Sequence, residues 1–155
     1  MKKLFILIGL ILAFGVCTNA QTLRAYNLNY TSEFGSPESC YLTLKTIVAD
    51  WTEGRLTVFF NCYESKTIKE RGTSAKQTIV MTLQGQDFVD AVSVPLKAGE
   101  AGKPRVFALS EWTWTIAQSY PFFPDYSYDD KTKTMVATRK SLTDLAAVKV
   151  DLPIQ

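Results

Sequence analysis

The chain has 155 residues, with 17 Lys and Arg, 15 Asp and Glu, and no histidine. The lack of histidine excludes Ser-His-Asp and Cys-His nucleophile systems and removes the most common zinc ligand. No GxSxG, P-loop or GxGxxG motif occurs in the sequence, so we predict no cofactor, no metal site and no motif-based enzyme activity.

The first twenty residues have the pattern of a cleaved export signal. A short basic start precedes an apolar run over residues 4–16, and Thr18 and Ala20 are small residues before the expected cleavage site. The run is shorter than the about 20 apolar residues that a transmembrane helix needs. We therefore predict a signal peptide over residues 1–20, one domain over residues 21–155, and no stable membrane anchor after cleavage.

Cys17 raises one alternative, because a cysteine that ends the apolar run could carry a lipid. Val16 before it is bulkier than the residue that lipoprotein processing favours. We therefore prefer a periplasmic or secreted protein, and the short basic start is typical of a bacterial signal.

Removal of the leader also changes the charge. Without Lys2 and Lys3, the 17 basic residues become 15, which equals the number of acidic residues. A neutral domain gains little from neutralising phosphates, so nucleic acid is not a predicted partner.

Cys40 and Cys62 remain in the mature chain, and an oxidising compartment predicts a disulfide between them. Residues 40–49 and 54–63 both alternate in the manner of strands, and Gly54 follows a polar turn. Chain entropy predicts that this bond stabilises the fold by about 3 kcal/mol.

One register of this hairpin pairs Leu42 with Phe60, Leu44 with Val58 and the two cysteines with each other. It also places Val48 on the apolar face. Registers shifted by two residues keep the same faces, so the pattern does not select one of them.

The following segments are predicted from local pattern. Residues 66–74 are polar and charged, which indicates an exposed connection with one helical turn. The basic residues of this segment, together with Lys76, are interpreted as part of a solvated loop. Strands are expected over residues 77–83 and 88–96, where Pro95 suggests a strand end or an edge. Late strands are expected over residues 131–139 and 147–152.

Residues 105–119 fit two structures. Trp112, Trp114 and Ile116 alternate with threonines, as in a strand, whereas Leu109, Trp112 and Ile116 also have helical spacing. We expect a strand followed by a short helix. The whole pattern predicts a mainly β fold, a small antiparallel β-sandwich or barrel-like domain with one short helix.

Acidic residues offer two weak chemical hypotheses. A carboxylate pair could support glycoside hydrolysis, and the candidates are Glu111, Asp125, Asp129 and Asp130. Residues 125–130 also resemble the start of a calcium loop, but they lack its glycine and its final acid. Surface acids and a polar turn are the preferred interpretations.

A more specific hypothesis concerns residues 112–128, where seven aromatic side chains lie within 17 residues. Aromatic faces beside a carboxylate can stack on sugar rings or anchor a protein partner. The competing interpretation places Trp112, Trp114 and Phe122 in the core, which is the usual outcome for aromatic residues. The candidate contact residues are Trp112, Trp114, Tyr120, Phe122, Phe123, Asp125, Tyr126 and Tyr128.

Three functions are compatible with the sequence. The first is an exported, non-catalytic binding module that contacts a glycan or a protein through residues 112–128. The second is a structural or assembly subunit of a surface structure, whose strand edges pair with neighbours. The third is a carboxylate-based hydrolase.

Overall fold

The computed structural model describes residues 24–97 and 105–151. Strands contain more of the described residues than helices do, which confirms a small, mainly β fold with antiparallel sheets. Among these residues there are three helices, where one was expected. The elements in chain order are β1 (Arg24–Thr31), β2 (Pro37–Asp50), β3 (Arg55–Tyr63), α1 (Lys66–Glu70), β4 (Gln77–Gln84), α2 (Gln86–Lys97), α3 (Arg105–Ala117), β5 (Phe123–Asp129), β6 (Thr134–Lys140) and β7 (Val148–Asp151). The predicted leader lies outside the described residues.

The larger sheet has the strand order β4-β3-β2-β1-β7, and its neighbours are antiparallel. The first four strands run up and down in chain order, and β7 returns beside β1. β5 and β6 form a separate antiparallel hairpin. Gly54 has φ +59° in the β2–β3 turn, a left-handed conformation that glycine adopts without steric cost.

The disulfide between Cys40 and Cys62 is present, with the two Cα atoms 5.4 Å apart. The register differs by two residues from the expected one, because Leu42 faces Cys62 and Leu44 faces Phe60. The two cysteines are therefore diagonal neighbours on the same face of the sheet. A shift by two preserves the apolar face, and so the alternating pattern did not distinguish the registers.

The sequence predicted Val48 on the apolar face of β2, and a β-bulge at Lys45 makes this prediction wrong. The pairing steps from Leu44 opposite Phe60 to Thr46 opposite Phe59, and Lys45 has no opposite residue. One extra residue reverses the alternation beyond it. Ile47 is therefore buried in the core, whereas Val48 is only half-buried.

The predicted strand over residues 88–96 is wrong, since the segment lies within helix α2. Phe88 and Ala91 are buried and Val92 is half-buried. These residues have the i, i+3, i+4 spacing of one helix face. The alternation of Val92, Val94 and Leu96 suggested a strand, but in the structure this segment is the end of the helix, and Pro95 lies in its last turn.

Residues 105–117 form one helix, α3, so the expected strand at its start is also wrong. The hydroxyl groups of Thr113 and Thr115 donate to the carbonyl oxygens of Leu109 and Glu111, at 2.8 and 3.0 Å. Threonine fits in a helix when its hydroxyl bonds the carbonyl four residues earlier. The Trp-Thr alternation is therefore compatible with a helix.

The core lies between one face of the larger sheet and the elements that cover this face. Trp114 of α3 packs against Tyr26 and Phe60, with ring centroids 5.0 and 5.2 Å apart. Phe122 packs against the other side of this cluster, 5.0 Å from the Phe60 ring. Phe123 continues it to Tyr30, at 5.2 Å. An aromatic layer thus joins the sheet to α3 and to the start of β5.

Candidate functional site

Three of the candidate contact residues are core residues. Trp114, Phe122 and Phe123 are almost completely buried and belong to the aromatic layer described above. A side chain that solvent does not reach cannot contact a partner without unfolding. The expected role of these three residues in a contact surface is therefore corrected to packing.

Two further candidates, Trp112 and Tyr120, are half-buried and lie outside the β5–β6 hairpin. Trp112 packs against the edge of the core. The hydroxyl of Tyr120 donates to the backbone oxygen of Thr82, at 3.0 Å. Because Thr82 belongs to the edge strand β4, Tyr120 covers part of that edge.

Asp125 joins the two sheets. Its carboxylate accepts a hydrogen bond from the backbone N–H of Thr31, at 2.7 Å, and lies 2.6 Å from the Lys140 Nζ. Burial by itself raises the pKa of this carboxyl group, but the bonds from Lys140 and Thr31 outweigh it, so the pKa lies below its ordinary value of 3.8. Asp125 is therefore a link between β1 and β5 and not a free contact residue.

Replacing Asp125 with asparagine is expected to lower the free energy of unfolding at pH 7 by about 1–2 kcal/mol, because a charge-assisted bond is lost. In the wild type the folded-state pKa is the lower one, so the unfolded chain takes up the proton first. The stabilisation by Asp125 is therefore fully present above about pH 4. It is lost as the pH falls through the pKa that Asp125 has in the folded protein. Urea unfolding between pH 7 and pH 2 measures this. The Asp125→Asn variant should show a smaller acid loss than the wild type, and an equal loss would contradict the role of Asp125.

The remaining candidates lie together on β5. Tyr126 is half-buried and Tyr128 is 57% exposed. They alternate along the strand, so they share one face of the hairpin, and the residue opposite Tyr128 is Met135. The Met135 sulfur lies close to Gly35 in the β1–β2 turn. The outer face of the hairpin therefore meets this turn.

A cleft opens at this junction, and we call it the Glu38 cleft. The cleft has a volume of about 200 Å³, and it is bordered by the β1–β2 turn, by the first residues of β4 and by β5. Phe34, which is 82% exposed, and the half-buried Tyr126 supply aromatic surface. The lining residues are Tyr30, Ser32, Glu33, Phe34, Glu38, Lys76, Gln77, Pro124 and Tyr126.

The polar side of the Glu38 cleft is a connected network. The Tyr30 hydroxyl donates to the Glu38 Oε2 at 2.6 Å and accepts from the Gln77 Nε2 at 3.1 Å. Lys76 forms an ion pair with the same carboxylate oxygen of Glu38. Lys76 lies in an exposed loop, as interpreted from the sequence, and its ion pair connects this loop to Glu38.

The network holds both titratable groups in their ordinary protonation states. The bonds from Lys76 and Tyr30 lower the pKa of the Glu38 carboxyl group. Burial, together with the adjacent Glu38, raises the pKa of the Tyr30 hydroxyl. Glu38 is therefore ionised and Tyr30 is neutral at physiological pH, so neither group is poised to exchange a proton near neutrality.

The four acids that were candidates for a hydrolytic pair each contact a different basic or hydrogen-bonding group. Glu111 of α3 pairs with Arg24, and Asp125 pairs with Lys140. Asp129 accepts bonds from Lys131 and Thr132 within its own turn. Asp130, in the same turn, is highly exposed and lies 3.8 Å from the nitrogen of Lys133.

Two further searches concern only the part of the chain that the structure describes. Within residues 24–97 and 105–151, no group of three or more His, Cys, Asp or Glu side chains could hold a metal ion. Over the same residues, no helix has the length and apolar character needed to cross a membrane.

No protein-family model, curated protein or solved structure matches this chain. The interpretation of the site therefore depends on its geometry.

Sequence reasoning identified Tyr126 as a contact residue but did not assign the other residues that line the cleft to a site. Phe34 carried a usable signal, since a large aromatic side chain lies within the otherwise polar turn segment of residues 31–36. Glu38 and Gln77 carried none, because each is an ordinary polar residue until β2 and β4 place them in the same cleft.

Proposed function

We propose that this protein is an exported, non-catalytic binding module, and that the Glu38 cleft binds one sugar ring of a glycan. The observation that carries the proposal is the pairing of aromatic surface with hydrogen-bonding groups in one cleft. Phe34 and Tyr126 contribute aromatic side chains to the lining, while Glu38 and Gln77 contribute a carboxylate and an amide. A sugar ring has apolar faces and a polar rim, so it complements both kinds of surface.

The size of the cleft favours one unit of a longer ligand. Pockets for drug-sized molecules and cofactors have volumes of about 300–1,000 Å³, whereas this cleft has about 200 Å³. A single ring fits such a space, and the rest of a glycan chain would extend along the exposed face that carries Tyr128 and Met135. A protein partner that inserts one side chain is the alternative occupant.

The electrostatics of the cleft favour binding over catalysis. A glycoside hydrolase needs a carboxylic acid whose pKa is raised, so that it can protonate the leaving oxygen. The pKa of Glu38 is shifted in the opposite direction. Glu38 is therefore suited to accept hydrogen bonds from ligand hydroxyl groups and not to donate a proton.

The strand edges disfavour the second hypothesis, a subunit that assembles by edge pairing. Tyr120 covers part of the β4 edge through its bond to Thr82, and β7 has four residues within the described part of the chain. β6 pairs only with β5 among the described strands, and it ends with Arg139 and Lys140. Covered edges, short edges and edge cations are the features by which proteins prevent edge pairing.

The disulfide supports export as part of the proposal, because such bonds persist in oxidising compartments. The Cys40–Cys62 bond is compatible with a periplasmic or an extracellular location. We propose one of these two locations for the mature protein.

Glycan binding is expected to depend on Phe34 and Tyr126. A glycan array would identify a ligand, and isothermal titration calorimetry would then compare the wild type with Phe34→Ala and Tyr126→Ala. We expect each variant to lose about five- to thirtyfold in affinity, since loss of a stacking ring costs about 1–2 kcal/mol. Val148→Ala is the matched control, because Val148 is 64% exposed on β7, outside the cleft.

Two results would contradict this proposal. A blank array together with a blank pull-down of protein partners would remove the binding function. A protein partner that binds the wild type and is lost in Phe34→Ala would retain the binding module but reject the glycan.

A further inference from the structure

A second exposed aromatic residue lies outside the Glu38 cleft, in the turn between β2 and β3. Trp51 is 69% exposed, and its ring contacts the ring of Phe88 at the start of α2, edge to face, with centroids 5.6 Å apart. Phe88 itself is buried. The indole thus rests on a fixed core residue while most of its surface faces solvent.

The turn that carries Trp51 is held by several side-chain contacts. The Asp50 Oδ1 accepts the backbone N–H groups of Thr52 and Glu53, both at 3.0 Å. The Arg55 Nη2 lies 2.9 Å from the Glu53 carboxylate and 3.8 Å from that of Asp50. These contacts reduce the entropy that the turn would lose on binding, which is the advantage of a preorganised contact residue.

The two segments that meet at the Trp51–Phe88 contact carry mainly acidic residues. The turn contributes Asp50 and Glu53, and the first turns of α2 contribute Asp87 and Asp90. Lysine is absent from residues 50–55 and 86–90, and the single arginine there, Arg55, is already paired with the two acids of its own turn. Asp87 and Asp90 are both exposed. The two segments together therefore carry four acids and one arginine.

We propose that Trp51 is the centre of a second binding site, which takes a Lys or Arg side chain from a basic segment of a partner protein. A cation over an indole face is attracted by the ring, and tryptophan is the strongest of the aromatic residues in this respect. The exposed acids Asp87 and Asp90, on the helix that Trp51 contacts, add a favourable field for the same cation. An anionic membrane surface would be repelled by these acids. The site is independent of the proposed glycan cleft.

A peptide titration tests the site directly. The protein has three tryptophans, so a ¹H–¹⁵N spectrum of the full mature chain can follow three indole N–H signals, and Trp51→Phe assigns the signal of Trp51. The probes are an acetylated peptide of sequence GRKRKG and a matched peptide of sequence GEDEDG. We expect the basic peptide alone to shift the Trp51 signal, with affinity that falls as salt increases.

Variants separate the indole from the charges. Trp51→Ala is expected to weaken basic-peptide binding at least tenfold, and Asp87→Asn and Asp90→Asn about threefold each. Val148→Ala should have no effect. Because Trp51→Ala removes the contact with Phe88, its melting temperature is measured first; if it does not fold, Trp51→Leu takes its place.

Several results would overturn the proposal. No shift at millimolar basic peptide, equal shifts with the acidic peptide, or unchanged affinity in Trp51→Ala would each reject it. A Trp51 signal that responds to a glycan or to lipid vesicles, and not to the basic peptide, would assign this surface to another class of ligand.

Discussion

Phe60→Ala is expected to lower the free energy of unfolding by about 3–5 kcal/mol, the usual loss when a buried phenylalanine is truncated. Phe60 is completely buried, and its ring contacts those of Trp114 and Phe122 at 5.2 and 5.0 Å. The substitution therefore opens a cavity at the centre of the aromatic layer. Since small domains are stable by only about 5–15 kcal/mol, the variant would be close to its unfolding threshold.

Urea unfolding, followed by circular dichroism and tryptophan fluorescence, measures this loss. Phe34→Ala is the matched control, because it removes the same side chain from an 82% exposed position and should change stability by less than about 0.5 kcal/mol. Phe60→Leu should lose less than Phe60→Ala, since it retains part of the packing volume. Equal stability of Phe60→Ala and the wild type would contradict the described core.

Loss of the disulfide is expected to lower the free energy of unfolding by about 3 kcal/mol, because the bond restricts a loop in the unfolded chain. The cysteines are 22 residues apart in sequence, and this separation sets the size of that loop. The bond also joins β2 and β3 next to the core, where both cysteines are buried. Its removal should therefore act mainly through the entropy of the unfolded state.

Comparison of oxidised and reduced protein measures the effect of the bond. Unfolding of the wild type is followed with and without reductant, and the Cys40→Ala/Cys62→Ala variant is the control that should not respond to reductant. Intact mass of the protein, alkylated under native conditions, shows whether the two thiols are paired. Two free thiols, or a wild type that is insensitive to reductant, would contradict the prediction.

Strands were predictable from the sequence where apolar and polar residues alternate clearly. The alternation around Cys40 and Cys62 predicted the β2–β3 hairpin and the cysteine pair, and the late strands were also expected. The bulge at Lys45 was not predictable, because the apolar residues on either side fit a regular strand equally well. The bulge becomes visible only when β3 is placed opposite.

The helices were predicted less well, and the reason is specific. In α2 the residues Val92, Val94 and Leu96 alternate as in a strand, while Phe88, Ala91 and Val92 have helical spacing. Both periods are present in twelve residues, so local pattern does not decide between them. Burial of Phe88 and Ala91 in the structure is what selects the helix.

The candidate site was predictable only in part. Tyr126 and Tyr128 lie on the exposed face of β5, as a contact residue must, but Phe122 and Phe123 precede them in the same aromatic-rich segment and are buried. Density of aromatic residues in the sequence does not separate the two groups. The separation follows from the position of the segment, since Phe122 and Phe123 enter the aromatic layer while β5 leaves it.

The sequence by itself determined the chemistry that is available: no histidine, a cysteine pair at positions 40 and 62, and strands with one apolar face. Only the tertiary structure decided which side chains lie next to each other. Phe34, Lys76 and Tyr126 come from three distant segments, and they share a cleft because β5 packs beside β1, with the bond from Thr31 to Asp125 between them. Periodicity reports which side chains share a face of a strand, but burial depends on the neighbour that covers that face.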